Sequence, residues 1–373
     1  MAIVAVLAFI VLGLMAFFTF NLSFLNPIKK VVQDFSMTDF YYQVLMQADH
    51  YKESSLITIV DMTELTDRGD VAMALEAIEA CGPKVVGVDI IFDGLKEDMV
   101  ADEMLKDLAA TYDNIVWSVK LCDYVDDQSG YSASLRSFFA EETKCKEAVT
   151  NMQRSLYSGL KRVFVTGWKL EGELLPSFAG MLANSYAEKT VIETRDSEIK
   201  INFTPTTFTV IPWDSVICHP ELLANRIVLF GAMHENADMH YTPLGQIAGI
   251  ELLAYAVQTI LRENEVYEVE GTLFWTISFL FVVMTYWGRS SRRKWTASLR
   301  RPEQRLLLDF PVFGSIISFA WMAFLTWGAF VLFCYYDISF NLGLTFSAIA
   351  FLGPAEGSYN AISDYFNNHF NEE

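Results

Sequence analysis

Long uncharged apolar stretches sit at both ends of the chain, and short alternating runs fill its middle. Residues 1–20, MAIVAVLAFIVLGLMAFFTF, carry no charged side chain. A helix of about 20 apolar residues spans a bilayer's hydrocarbon core, so this stretch predicts a transmembrane helix. A cleaved leader would need a basic start and small residues at the cut, where Phe17, Phe18 and Phe20 stand instead. Residues 271–288, 310–336 and 338–359 predict three further transmembrane helices, the last interrupted by Pro354 and Glu356. Trp275, Trp287, Trp327, Tyr335 and Tyr336 fall near the expected ends, where amphipathic rings favour the interface.

Between these blocks the period changes. Residues 21–54 are read as a connector, and 55–265 as one α/β domain. SLITIVDM (55–62), KVVGVDIIF (84–92) and NIVWSVKL (114–121) are short, rich in β-branched residues and read as strands. Helical spacing separates them at 69–81 and 97–112, and Cys81-Gly82-Pro83 stops the first helix. Strand alternating with helix predicts a mostly parallel sheet. The pattern pauses over a polar insertion at 123–144 and a helical stretch near 146–159. It resumes with a strand at 162–168, a helix at 176–187, a half-wet strand at 198–204, a buried strand at 226–233 and a helix at 249–263. The expected whole is an α/β extracytoplasmic domain with a mostly parallel sheet, plus four transmembrane α-helices.

Charge sets the orientation. In residues 289–305, Arg289, Arg292, Arg293, Lys294, Arg300, Arg301 and Arg305 face one acid, Glu303. Short basic loops stay cytoplasmic, so 289–308 is read as a cytoplasmic loop, 360–373 as a cytoplasmic tail, and the middle domain as external. Setting aside those seven and Glu303 leaves 20 basic residues against 45 acidic ones, so the external part is strongly acidic. That excludes nucleic acid as a partner, because phosphate binding needs clustered positive charge. Cys122 and Cys145 flank the polar insertion. Either they are bridged, contributing about 3 kcal/mol by loop entropy, or they are two separate thiols.

The run ITIVDMTEL, then VVGVDIIFDG, then ELLANRIVLFGAMHENADMHYTPLGQIAGIELLAYAVQTIL resembles the second class of CHASE domains. Those are extracytoplasmic sensory domains associated with cyclases and histidine kinases. The resemblance covers about residues 55–263 and is most specific at Gly231, Ala232, Asp238, Thr242 to Gly245 and Gly249 to Glu251. One helix before the domain and three after it are also similar to the family. There the last helix usually continues into a cytoplasmic output domain. Here the last apolar stretch is followed by the tail at 360–373, which implies that any signal passes to another protein.

Asp61 and Asp89 end the first two predicted strands, where ligands bind in open α/β sheets. Each could instead cap the next turn. His234, Asp238 and His240 share one turn and could ligate a metal, or form a polar loop fixed by Asp238. With Gly231 and Thr242 from the resemblance, the candidate ligand-binding residues are Asp61, Asp89, Gly231, Asp238 and Thr242. No nucleophilic, phosphate-cradling or metalloprotease motif occurs in the domain, so no catalytic residue, metal or cofactor is expected. The sequence predicts a sensor-like subunit of the bacterial inner membrane with its main domain in the periplasm. It would bind a ligand or partner outside and act through another membrane or envelope protein. The lipid bilayer is a further partner, and a homodimer is left open. The competing class is a scaffold subunit of a multi-protein membrane complex with no small-molecule ligand.

Overall fold

The computed structural model describes residues 1–21, 36–48, 51–125, 130–152, 159–235, 238–303 and 311–370. They divide into two compact units, Tyr42–Val266 and a second made of Met1–Tyr41 with Tyr267–Glu373.

The first unit is α/β. Its opening strand β1 (Lys52–Asp61) leads to helix α1 (Arg68–Ala80), strand β2 (Val85–Val88), helix α2 (Met99–Thr111) and strand β3 (Ile115–Val125). Asp67 and Asp98 start the two helices by accepting hydrogen bonds from free first-turn amides, as capping aspartates do. Then come β4 (Gly130–Leu135), the one-turn helix α3 (Ala140–Thr143), β5 (Lys146–Val149), β6 (Val163–Val165), β7 (Gly167–Leu170), β8 (Glu173–Pro176) and α4 (Phe178–Ala187). The unit closes with β9 (Glu198–Lys200), β10 (Thr206–Pro212), β11 (Ile227–Gly231), β12 (Met239–Thr242), β13 (Gly245–Ala248) and α5 (Gly249–Arg262).

Nine strands form one mixed sheet in the order β10-β1-β11-β2-β3-β4-β7-β8, with β5 also on β3. Pairing is parallel from β10 across to β3 and β5. It turns antiparallel at β3–β4 and β7–β8. Val86 and Val88 pack with Leu75, Ile78 and Leu105 of α1 and α2. On the opposite face, Gly87 lies under α4, where an added Cβ would come within 2.9 Å of Leu182. Both sheet faces are thus covered, which is why the central strands read as unbroken apolar runs.

Several expectations change. Residues 146–149 are a strand paired parallel to β3, not the start of a helix over 146–159; residues 153–158 lie outside the described ones. Within the polar insertion at 123–144, residues 126–129 lie outside the described ones, and the rest forms the end of β3, its antiparallel partner β4 and α3. The strand expected at 198–204 is short and pairs with β6 outside the main sheet. A further strand, β10, borders β1. Cys122 and Cys145 are free thiols. Register explains this: Lys146 sits opposite Val116, six residues along the strand from Cys122. At about 3.3 Å per residue that is roughly 20 Å, far beyond disulfide reach.

In the second unit, helix Ala2–Asn21 opens the chain, and helices Gly271–Ala297 and Phe313–Tyr336 are long and apolar enough to cross a membrane. The basic loop expected at 289–308 begins as the last turns of the helix Gly271–Ala297; residues 304–310 lie outside the described ones. The fourth span expected at 338–359 is not one continuous helix. A two-residue strand, Ile338–Ser339, precedes helix Leu342–Ala350, and a separate helix Leu352–Phe370 takes in most of the expected tail. Val4, Ala5, Ala8, Val282, Ala348, Ile349, Leu352 and Ala355 form the unit's buried cluster. Arg293 donates two hydrogen bonds to Glu356, at 2.7 and 2.9 Å. Such a bidentate pair fixes geometry more tightly than a single contact.

Candidate ligand-binding site

Parallel pairing brings several strand ends to one edge. Asp61 of β1 is in register with Gly231 of β11, and Phe230 with Val88 of β2. Asp89 comes directly after Val88, and its amide donates to the Phe230 carbonyl at 2.9 Å. Carboxyl ends of parallel strands form the natural mouth of such sheets. Here they open into a cleft of about 1230 Å³. Its lining includes Asp89, Ser118 and Lys120 from the sheet, Tyr131 and Trp168 from the antiparallel extension, and Asp238 and His240 from the segment before α5.

The five candidates meet different fates. Asp61 is outside the cleft lining. Its Oδ1 accepts from the Thr63 amide at 2.9 Å, the Thr63 hydroxyl at 2.5 Å and the Met233 amide at 3.1 Å. Burial alone would raise this carboxyl, but those hydrogen bonds hold it below its usual range. It ties the turn after β1 to the turn after β11. Thr242 is buried; its hydroxyl donates to the Gly245 carbonyl at 2.9 Å and accepts from the Leu244 amide at 3.2 Å. That fixes the β12–β13 hairpin. Gly231 provides room: a Cβ there would meet Ile250 at 2.9 Å and the Asp89 Cβ at 3.3 Å.

Asp89 and Asp238 are the two that share the cleft. Asp89 keeps some accessible surface, yet protein encloses it deeply, and none of the described side chains or amides hydrogen-bonds its carboxylate. Burial first, then the neighbouring Asp238 charge, pushes its carboxyl up to about 7, against the opposing pull of His240 and Lys120. A carboxyl held there changes its proton occupancy near neutral pH.

Asp238 sits at the head of α5. A Cβ on Gly249 would fall 2.2 Å from its Oδ2, so only glycine admits the carboxylate against this helix N-terminus. The helix dipole favours negative charge there, and Ala248 supplies no side-chain cap of its own. Asp238 Oδ1 also lies 3.3 Å from His240 Nε2, whereas His234 Nε2 lies 3.9 Å from Asp61. The two histidines of this turn therefore lean to different carboxylates. Among the described residues no group of three or more His, Cys, Asp or Glu is placed to hold a metal ion.

Sequence reasoning missed the far wall. Tyr124 and Tyr131 meet edge to face at 5.2 Å, and Tyr131 and Trp168 at 5.9 Å. All three rings line the cleft with Lys120, which sits on β3 among them. The signal was present in DYVDDQSGY, a polar turn flanked by tyrosines, which is a hairpin pattern.

Comparison with known proteins gives one family. The model described as "CHASE2: CHASE2 domain" matches residues 4–288. No curated protein and no solved structure matches the chain.

Proposed function

The chain belongs to the CHASE2 domain family of extracytoplasmic sensory domains, and from that premise we propose that it is a membrane-anchored, sensor-like subunit. The unit Tyr42–Val266 takes a ligand in the cleft at the carboxyl edge of its sheet. The signal leaves through the helical unit to a separate membrane or envelope protein, and the chain catalyses no reaction of its own. The bacterial inner membrane is its location, with the α/β unit on the periplasmic side.

One observation carries this reading. The cleft holds a deeply enclosed carboxylate, Asp89, with no hydrogen-bond partner among the described residues and a neighbouring like charge, Asp238. Burying such a group without a partner costs stability, and folds keep such groups where a ligand uses them. A scaffold subunit gains nothing from it. The test is Asp89→Ala in the native host, reading both membrane level and the downstream output. Loss of output at an unchanged level supports the proposal. Unchanged output, or parallel loss of protein and output, overturns it.

A further inference from the structure

We infer that the ligand of this cleft is an organic cation carrying an ammonium group, held by Asp89 and Asp238 and flanked by the ring wall of Tyr124, Tyr131 and Trp168. The inference rests on reading the cleft as a ligand site and adds the chemistry of what fills it.

Charge comes first. Six carboxylates line the cleft, namely Asp89, Asp123, Asp196, Glu198, Glu235 and Asp238, against three lysines. Two of those lysines have partners, and that of Lys169 is one of the six, so five carboxylates face two lysines. Lys169 Nζ binds Asp196 at 2.6 Å, and the buried Lys161 donates to the Met152 carbonyl at 3.0 Å. Lys120 makes no ion pair among the described residues, and its pull on Asp89 does not cancel the effects of burial and Asp238. The remaining excess is negative and sits in a partly desolvated place, where a ligand cation gains most.

Geometry then narrows the cation. Among the described residues no set of three or more metal-ligating side chains is arranged in the cleft. An ammonium needs less: it donates up to three hydrogen bonds and can bridge two carboxylates. The aromatic wall of Tyr124, Tyr131 and Trp168 suits the alkyl part of such a ligand. At about 1230 Å³ the cleft holds far more than a single ion.

Protons supply an independent readout. Asp89 is shared between protonated and ionised forms near pH 7, with Asp238, His240 and Lys120 as the charged groups that act on it. An ammonium bound against it favours the ionised form, so binding near neutral pH releases protons.

The experiment is titration calorimetry on the full chain in mild detergent at pH 7, in phosphate and in MOPS, neither of which carries a primary ammonium. Spermidine and putrescine are the probes, with magnesium and sucrose as comparisons. We expect saturable amine binding whose apparent enthalpy differs between the buffers. It should weaken about tenfold or more in Asp89→Asn and in Asp238→Asn, and stay unchanged in Asp214→Asn, an exposed acid outside the cleft. Absence of saturable amine binding, or equal binding by all variants, overturns the inference. Binding of magnesium or sucrose alone, abolished by Asp89→Asn, overturns the ammonium class and leaves the cleft standing as a ligand site. Loss of the site reading itself would show instead as unchanged downstream output in Asp89→Ala.

Discussion

Replacing Asp89 by Asn removes a charge that the fold holds against its preference, and the pH dependence of that change can be worked out. The carboxyl is raised from 3.8 in an ordinary environment to about 7 in the folded chain. Below about pH 4 both folded and unfolded chains hold the proton, so the residue costs nothing. Between about 4 and 7 the folded chain holds a proton that the unfolded chain has released, and stability falls as pH rises. Above 7 both are ionised and the cost is complete. Some three pH units at about 1.4 kcal/mol each give roughly 4 kcal/mol. Water in the cleft screens part of this, leaving about 2–4 kcal/mol. Asparagine has nearly the same shape and no charge. The variant should therefore match the wild type at pH 4 and exceed it at pH 8, by about 4–16 °C in melting temperature for a domain of this size. Tryptophan fluorescence melts of the full chain in detergent at pH 4, 6 and 8 would measure the gap. A gap equal at all three pH values, or a less stable variant at pH 8, would refute the reasoning.

Three other outcomes are expected from the same geometry. Asp61→Ala should cost about 1–3 kcal/mol by stripping the Thr63 amide and hydroxyl of their acceptor and leaving the Met233 amide with the Thr63 hydroxyl alone; because this carboxyl is held low, the loss is present above about pH 4 and fades as pH falls through the folded-state value. Melts of the variant at pH 3 and pH 7 check this, and a full loss at both would count against it. Gly87→Ala should cost about 1–3 kcal/mol by driving a methyl into Leu182, and Leu182→Ala in the same chain should recover part of that; a simple sum of the two losses would argue against the contact. For orientation, with native cysteines replaced, Ser132→Cys should react with an impermeant maleimide on intact spheroplasts and Ser291→Cys only after lysis. The reverse pattern would invert the topology.

The parallel half of the fold was legible because its strands are buried on both faces. Runs such as KVVGVDIIF contain no polar residue between the opening lysine and the strand's end, and such runs between helical spacings admit few arrangements. The antiparallel half was not. β4 and β7 border the cleft with mixed polar and aromatic residues, so their alternation is broken by the residues that line it. β5 is four residues long, and Lys146 and Glu147 begin it, which leaves little apolar pattern to read. The break at Phe351 between two helices was signalled only indirectly, by Pro354 three residues later. Proline biases the residues before it without marking one of them.

Asp61 and Asp89 show where the sequence stops discriminating. Both end apolar strands, both are aspartates, and the two strands flank β11. They differ in the residues that come next. After Asp61 stand Met62 and Thr63, and the Thr63 amide and hydroxyl turn back onto the carboxylate, with the Met233 amide completing the set from β11's own exit. After Asp89 stand Ile90 and Ile91, which bring no hydroxyl, and the Ile90 carbonyl is taken by Ser118. The donors that could have satisfied Asp89 are thus absent from its own turn. Its neighbours come from about 150 residues further on: Gly231, whose missing side chain leaves room for the Asp89 Cβ, and Asp238, seated by Gly249 at the head of α5. One aspartate holds two turns together. Its counterpart across β11 finds no hydrogen-bond donor among the described residues, and that shortfall is the property the proposed cationic ligand would use.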